Sequence, residues 1–337
     1  MAKLVSLFLA ILLSFWLTMG APRPSKIELP SRPLALTTDI AVVNPQSSVS
    51  ASYVRVDAFE TVFFQVGDAS RPHFGLSRED FEYLRSLGVT AIEGDFDSCA
   101  NEEDVKYFLD ESASVRLGVI LPAQVRTTLD VTVCPGLMDR SDTTTPTSEQ
   151  IVADWVRHWK SHPAVIAWDT TDSHTVYTSS QSAPVPTADQ LETAYASLKT
   201  IDPIHPVFVP LQQQIDASVS SATLPLLSGV SHPIADIVLI KQHLSDTGNS
   251  SDLQDLHGQV STLQTNDNKA VKVLVGVGGE RTSDGWVFPN PTSLEQELDL
   301  LRSNSMILGV GFYRYGSKES AWYLPYHAPD LLPILQH

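Results

Sequence analysis

Carboxylates, histidines and aromatic residues collect where short apolar runs end. Ala91-Ile92 leads into Glu93, with Asp95 and Asp97 at the next alternate positions. Val165-Ile166-Ala167-Trp168 leads into Asp169, and Asp172, Ser173 and His174 follow. Val238-Leu239-Ile240 is followed by Lys241, Gln242 and His243, and Val277 by two glycines and Glu280, with Trp286 a few residues on. The last such run ends in Tyr313, Arg314 and Tyr315. Two carboxyl groups held a fixed distance apart do acid–base work: one protonates a leaving oxygen while the other serves as nucleophile or base. Trp168, Trp286, Tyr313 and Tyr315 offer flat apolar ring faces on which a ligand can stack. Glu93, Asp95 and Asp97 share a face if they continue one strand, and there they suit ligand hydroxyls or a hard cation such as Ca2+. His243 suits orienting a hydroxyl or tuning a nearby carboxylate. No His or Cys spacing matches a zinc site, so neither a metal nor a cofactor is expected.

Residues so far apart in the chain act together only if the backbone gathers the ends of those runs. Eight strands are expected: Thr61 to Val66, Thr90 to Glu93, Arg116 to Leu121, Ala164 to Trp168, Val207 to Leu211, Asp236 to Ile240, Val271 to Val277 and Ile307 to Tyr313. They are rich in Val, Ile and Phe and barely alternate, which implies burial on both faces. Helix patterns fill most gaps. One is capped by Ser77 with Asp80 three residues on and stopped by Gly88; others span Glu102 to Glu111, Thr147 or Ser148 to Trp159, Thr187 to Thr200, Ser251 to Leu263, and Pro291 or Thr292 to Leu301. A short one is expected around Pro329 to Leu335, and residues 218–227 are poorly patterned. Trp155 and Trp159 read as helix packing. The alternation predicts an α/β protein, a single-domain (β/α)8 TIM barrel over residues 56–337, whose strand ends converge on one mouth. A doubly wound open sheet is the competing fold; it usually carries a Gly-rich phosphate turn after its first strand, and Gly67-Asp68-Ala69-Ser70 is no such turn.

The chain has 337 residues, of which 42% are hydrophobic and 18% charged, enough for a real core. Its formal charge of −17 disfavours nucleic acid and anionic membranes as partners, and favours a neutral or cationic substrate. Lys3 is the one charge before an apolar stretch from Leu4 to Leu17, and Thr18-Met19-Gly20-Ala21 follows. This reads as a signal peptide over residues 1–20, with a retained anchor as the alternative, so the expected location is extracellular, off the membrane after cleavage. Residues 21–55, rich in Pro, Ser and Thr, read as an extended lead-in. Cys99 and Cys134 follow neighbouring strands, so a disulfide is expected between them in an oxidising compartment, two free thiols being the alternative. Asn249-Ser250-Ser251 fits the N-glycosylation pattern.

The run Trp159-Lys160-Ser161-His162-Pro163-Ala164-Val165-Ile166-Ala167-Trp168-Asp169 resembles the approach to the acid/base residue in retaining (β/α)8-barrel glycoside hydrolases of the Glu/Glu type. There a helix ends at His-Pro, a strand reads Val-Ile-x-Trp, and Asn-Glu or Asp-Glu follows. Phe63 to Gly67, Leu84 to Ile92, Ile201 to Val207 and Gly309 to Tyr313 are similar to other parts of that fold, and the likeness spans most of residues 60–316. It implies a secreted enzyme that cleaves O-glycosidic bonds of a neutral oligo- or polysaccharide. It places the acid/base Glu on Ser173, which cannot protonate a sugar oxygen, so Asp172 becomes the candidate donor. It places a nucleophile at the end of the seventh strand, where Glu280 is the nearest carboxylate. The substitution at Ser173 also leaves a second reading, a catalytically inactive carbohydrate-binding protein on a degenerate glycosidase barrel.

Overall fold

The computed structural model describes residues 59–124, 147–170, 188–212, 234–243, 272–278, 280–282, 285–287, 290–303, 307–313, 315–316 and 324–336. Eight strands form a closed ring: β1 (Thr61–Val66), β2 (Ala91–Gly94), β3 (Gly118–Pro122), β4 (Val165–Asp169), β5 (Val207–Gln212), β6 (Ile237–His243), β7 (Lys272–Gly278) and β10 (Ile307–Tyr313). Every adjacent pair is parallel, and β10 closes the ring onto β1. A separate antiparallel hairpin, β8 (Glu280–Thr282) and β9 (Gly285–Val287), stands between β7 and β10 in the chain. The fold is thus a (β/α)8 barrel, and the open-sheet alternative falls because the edge strands are paired with each other.

The helices are α1 (Arg78–Ser86), α2 (Glu102–Ser114), α3 (Ser148–Trp159), α4 (Ala188–Ile201), α5 (Pro291–Ser303) and the short α6 (Leu324–His327). Their starts follow from capping chemistry. The Asp80 carboxylate accepts the Ser77 backbone N–H at 2.8 Å, which opens α1. Asn101 Oδ1 accepts the Glu103 N–H at 2.8 Å to open α2. At α3 the Thr147 N–H donates to Gln150 Oε1 at 2.9 Å, and the Gln150 N–H donates back to Thr147 Oγ1 at 3.3 Å. Gly88, in the left-handed region at φ 83°, ends α1. The expected helix at 329–335 is instead a 3-10 run, Pro329–Gln336, with Pro333 inside it. The helix expected at 251–263, the segment 218–227, the signal peptide at 1–20 and the lead-in at 21–55 lie outside the described residues. Among those described, no helix is long and apolar enough to cross a membrane.

Two buried layers result. Inside the ring lie Phe59, Val62, Phe64, Ala91, Ile120, Ala167, Phe208, Ile237 and Leu239. Phe64 and Phe208 stack across it with centroids 5.8 Å apart. Gly311 makes room for that stack, because a Cβ there would sit 2.2 Å from the Phe64 ring. The outer layer packs the helices on the other strand faces and holds Phe63, Ile92, Leu121, Trp168 and Tyr315 together with Trp155 and Trp159 of α3. The two α3 indoles meet edge-on at 6.0 Å, as packing residues.

Candidate active site at the carboxyl ends of the strands

Because all eight strands run the same way, their C-terminal ends share one rim, the face on which barrel enzymes work. Strand register decides which side chains turn inward there. Glu93 lies in register with Ile120, and Ile120 with Ala167, both residues of the inner layer. Asp169 lies in register with Phe208, another inner residue. Glu93 and Asp169 therefore stand on the inner face, at the ends of β2 and β4, with β3 between them. Both are buried, at 1% and 0% exposure. Two strand spacings put their backbones about 10 Å apart, and inward side chains on a curved wall converge further. The sequence places Asp169 at the end of its apolar run but gives it no role of its own. The clue was its alternation with Ala167, but a register shift in β4, where Val119 pairs with Val165 and Ile120 with Ala167, breaks the parity a reader would count from the start of the strand.

Other expected site residues divide into those brought to the rim and those turned from it. His243, Gly278 and Tyr313 are register neighbours on β6, β7 and β10, so His243 and Tyr313 flank the end of β7. Glu280 stands past Gly278 on the β8–β9 hairpin rather than on a barrel strand, cross-strand from Val287, while Trp286 is cross-strand from Arg281. Glu93, Asp95 and Asp97 do not share one strand face, contrary to expectation: β2 stops at Gly94, and Phe96 turns into the outer layer onto Phe74, with ring centroids 4.4 Å apart. Asp95 is buried just past the strand, its N–H donating to Val66 O at 3.0 Å. Asp97 Oδ1 accepts the Cys99 N–H at 2.9 Å, a turn cap.

Trp168 and Tyr315 are corrections. Both are fully buried in the outer layer, so neither has a ring face for a sugar. Trp168 Nε1 donates to Asp202 at 2.9 Å, and Tyr315 packs edge-on against Phe63 at 5.7 Å. They sit near strand ends, but on the helix-facing side. Asp172, Ser173, His174, Cys134, Asn249 and Arg314 lie outside the described residues. Among the described residues no group of three or more His, Cys, Asp or Glu side chains could hold a metal ion.

No protein-family profile matches the chain, and no curated protein sequence matches it significantly. Solved structures similar to it include glycoside hydrolases. They include a β-galacturonidase of family GH2 from Eisenbergiella tayi, at 15% identity over 75% of this chain and 43% of that one, with a TM-score of 0.46. Endo-glycoceramidase II from Rhodococcus sp. is similar at 12% identity over 82% of this chain and 78% of that one, TM-score 0.48. A glucosidase from Croceicoccus marinus is similar at 14% over 75% and 58%, TM-score 0.49. The chain spans less than half the length of the galacturonidase and 30% of a Bacteroides uniformis β-glucuronidase.

Proposed function

We propose that the protein is a secreted glycoside hydrolase that cleaves O-glycosidic bonds in a neutral oligo- or polysaccharide. The observation that carries this is the pair of buried carboxylates, Glu93 and Asp169, on the inner face of the barrel rim. Glycoside hydrolysis needs carboxyl groups gathered at one mouth, and a closed barrel gathers them from strands remote in sequence; Glu93 and Asp169 give that mouth its acidic inner wall, beside the residues that carry the proton and the attack. The His162-Pro163 to Asp169 run also supports it, since it forms the end of the third connection and the whole of β4. In this reading Asp172, three positions past Asp169, is the proton donor. Glu280, two past the end of β7, is the nucleophile or base. The acidic residues Glu93, Asp95 and Asp97, with His243, Trp286 and Tyr313, hold the sugar. The Cys99–Cys134 bridge belongs to the same proposal. No free thiol occurs among the described residues, and Cys134 is the one other cysteine in the chain. Glycosylation at Asn249 and release to the extracellular space complete it.

The test is turnover by the secreted protein on 4-nitrophenyl glycosides and on plant, fungal and bacterial polysaccharides, with Asp172→Asn and Glu280→Gln beside it. Hydrolysis lost in both variants supports the assignment. Hydrolysis unchanged in both removes these two residues from the mechanism. Binding without turnover in the parent chain replaces the enzyme with a carbohydrate-binding barrel, the reading that Ser173 favours.

A further inference from the structure

Four non-glycine residues have positive φ among those described: Gln65, His73, Phe74 and Arg116. Arg116 follows the end of α2, where left-handed backbone is routine. His73 and Phe74 form a short 3-10 turn in the β1–α1 loop. Gln65 alone lies inside a strand, at φ 53°. Gln is not among the residues that enter this region readily, as Gly and Asn do, so the conformation stores strain.

A bulge produces it. Phe63 pairs with Ile92 and Val66 with Gly94, so Phe64 and Gln65 together oppose the single residue Glu93. Phe63 and Val66 lie in the outer layer and Phe64 in the inner one. The extra residue therefore leaves Gln65 on the inner side beside Phe64, next to Glu93. The backbone is clamped there from β10's continuation: the Gly316 N–H donates to Gln65 O at 3.2 Å, and the Gly67 N–H donates to Gly316 O at 3.0 Å. Strain that the surroundings over-determine in this way is a mark of working positions.

The side chain is the second observation. Gln65 is 3% exposed, and among the described residues its amide makes no hydrogen bond. Buried amides are normally satisfied within the protein. This one keeps a donor and an acceptor unspent at the mouth, with a carboxylate residue next to it. A neutral vicinal hydroxyl pair takes up both, whereas a uronate would bring its charge against Glu93.

We infer that Gln65 is a substrate-binding residue that grips hydroxyl groups of a neutral sugar, and that the β1 bulge exists to deliver it. This rests on the glycosidase reading above. The test compares the full-length secreted wild type with Gln65→Gly, Gln65→Asn and Gln65→Ala, using 4-nitrophenyl glucoside, galactoside, mannoside, xyloside and glucuronide as probes. Gly and Asn tolerate the left-handed backbone and Ala does not, so melting temperature should hold or rise in Gln65→Gly and Gln65→Asn and fall in Gln65→Ala. For the best neutral glycoside kcat/KM should run the other way. It should drop about tenfold or more in Gln65→Gly and Gln65→Ala and recover in part in Gln65→Asn, which keeps a shorter amide. A packing residue would move activity and stability together. Turnover in wild type with an unaffected Gln65→Gly, or a preference for the glucuronide, overturns the inference alone. No turnover of any probe by wild type overturns the glycosidase reading and the inference with it.

Discussion

The Trp168 indole N–H donates to Asp202 Oδ2 at 2.9 Å, tying the outward face of β4 to the chain that enters β5. The same carboxylate takes His205 Nδ1 at 2.6 Å and the backbone N–H groups of Ile204 and His205 at 3.0 and 3.3 Å. One buried acid thus organises the connection from α4 to β5. Asp202→Ala would leave the indole and two backbone donors unsatisfied and should cost about 3 kcal/mol, read as a shift in denaturant midpoint. A cost near zero would show that the cluster relaxes without it.

The same residue sets an acid limit. Burial alone would raise the Asp202 pKa, but hydrogen bonds from His205 and Trp168, with the His205 charge and the Ile204 amide, outweigh it and hold the carboxyl below its usual value. A folded-state pKa lower than the unfolded one gives stability that is complete above the unfolded value, about 3.9, and is lost as pH falls through the folded value. Asp202→Asn should therefore flatten the fall in stability on the acid side of pH 4. Equal slopes in parent and variant, measured by urea unfolding from pH 5 to pH 2, would remove Asp202 as the cause.

Gly311 and Phe64 make a second coupled pair. Gly311→Ala drives a methyl into the Phe64 ring and should destabilise by about 1–3 kcal/mol. Phe64→Leu in the same chain should return part of that loss. A double-mutant cycle with no coupling between the two positions would contradict the packing described for the barrel interior.

Glu93→Gln and Asp169→Asn keep shape and remove charge at the inner rim. Each should lower turnover by about 100-fold on whichever glycoside the parent chain cleaves, with the circular dichroism spectrum unchanged. Parent-like rates in both would separate this carboxylate pair from the chemistry.

At the start of α2, Asn101→Ala removes the acceptor for the Glu103 N–H and should cost about 1 kcal/mol. Calorimetry would show this as a melting temperature lower by about 2–4 °C. Asn101→Asp, which keeps an acceptor, should hold the parent value.

The fold was readable because burial on both faces leaves continuous apolar runs. Thr61–Val66 and Ile307–Tyr313 take the bounds their composition predicts. β6 runs on to His243, past the expected Ile240, because pairing with β7 extends it through Lys241 and Gln242; that partnership leaves no hydrophobic trace. The site was less legible because a strand end has two sides. Trp168 and Asp169 are adjacent, yet one faces the helices and the other the interior. The shifts in β4 and β1 reset that parity at Ala167 and Gln65 without a sequence marker. Glu280 was found as the nearest carboxylate to the end of β7, but the hairpin that carries it belongs to neither barrel strand.

The seam between β1 and β10, where Thr61 meets Val310, joins segments from opposite ends of the described chain. A ribosome must pass Tyr313 before that seam forms. Until then the earlier strands wait as an incomplete arc with an unpaired edge, and such long-range pairing is slow to find. A nascent chain paused before residue 307 is thus the species most exposed to aggregation, and the last strand acts as the clasp that retires the hazard.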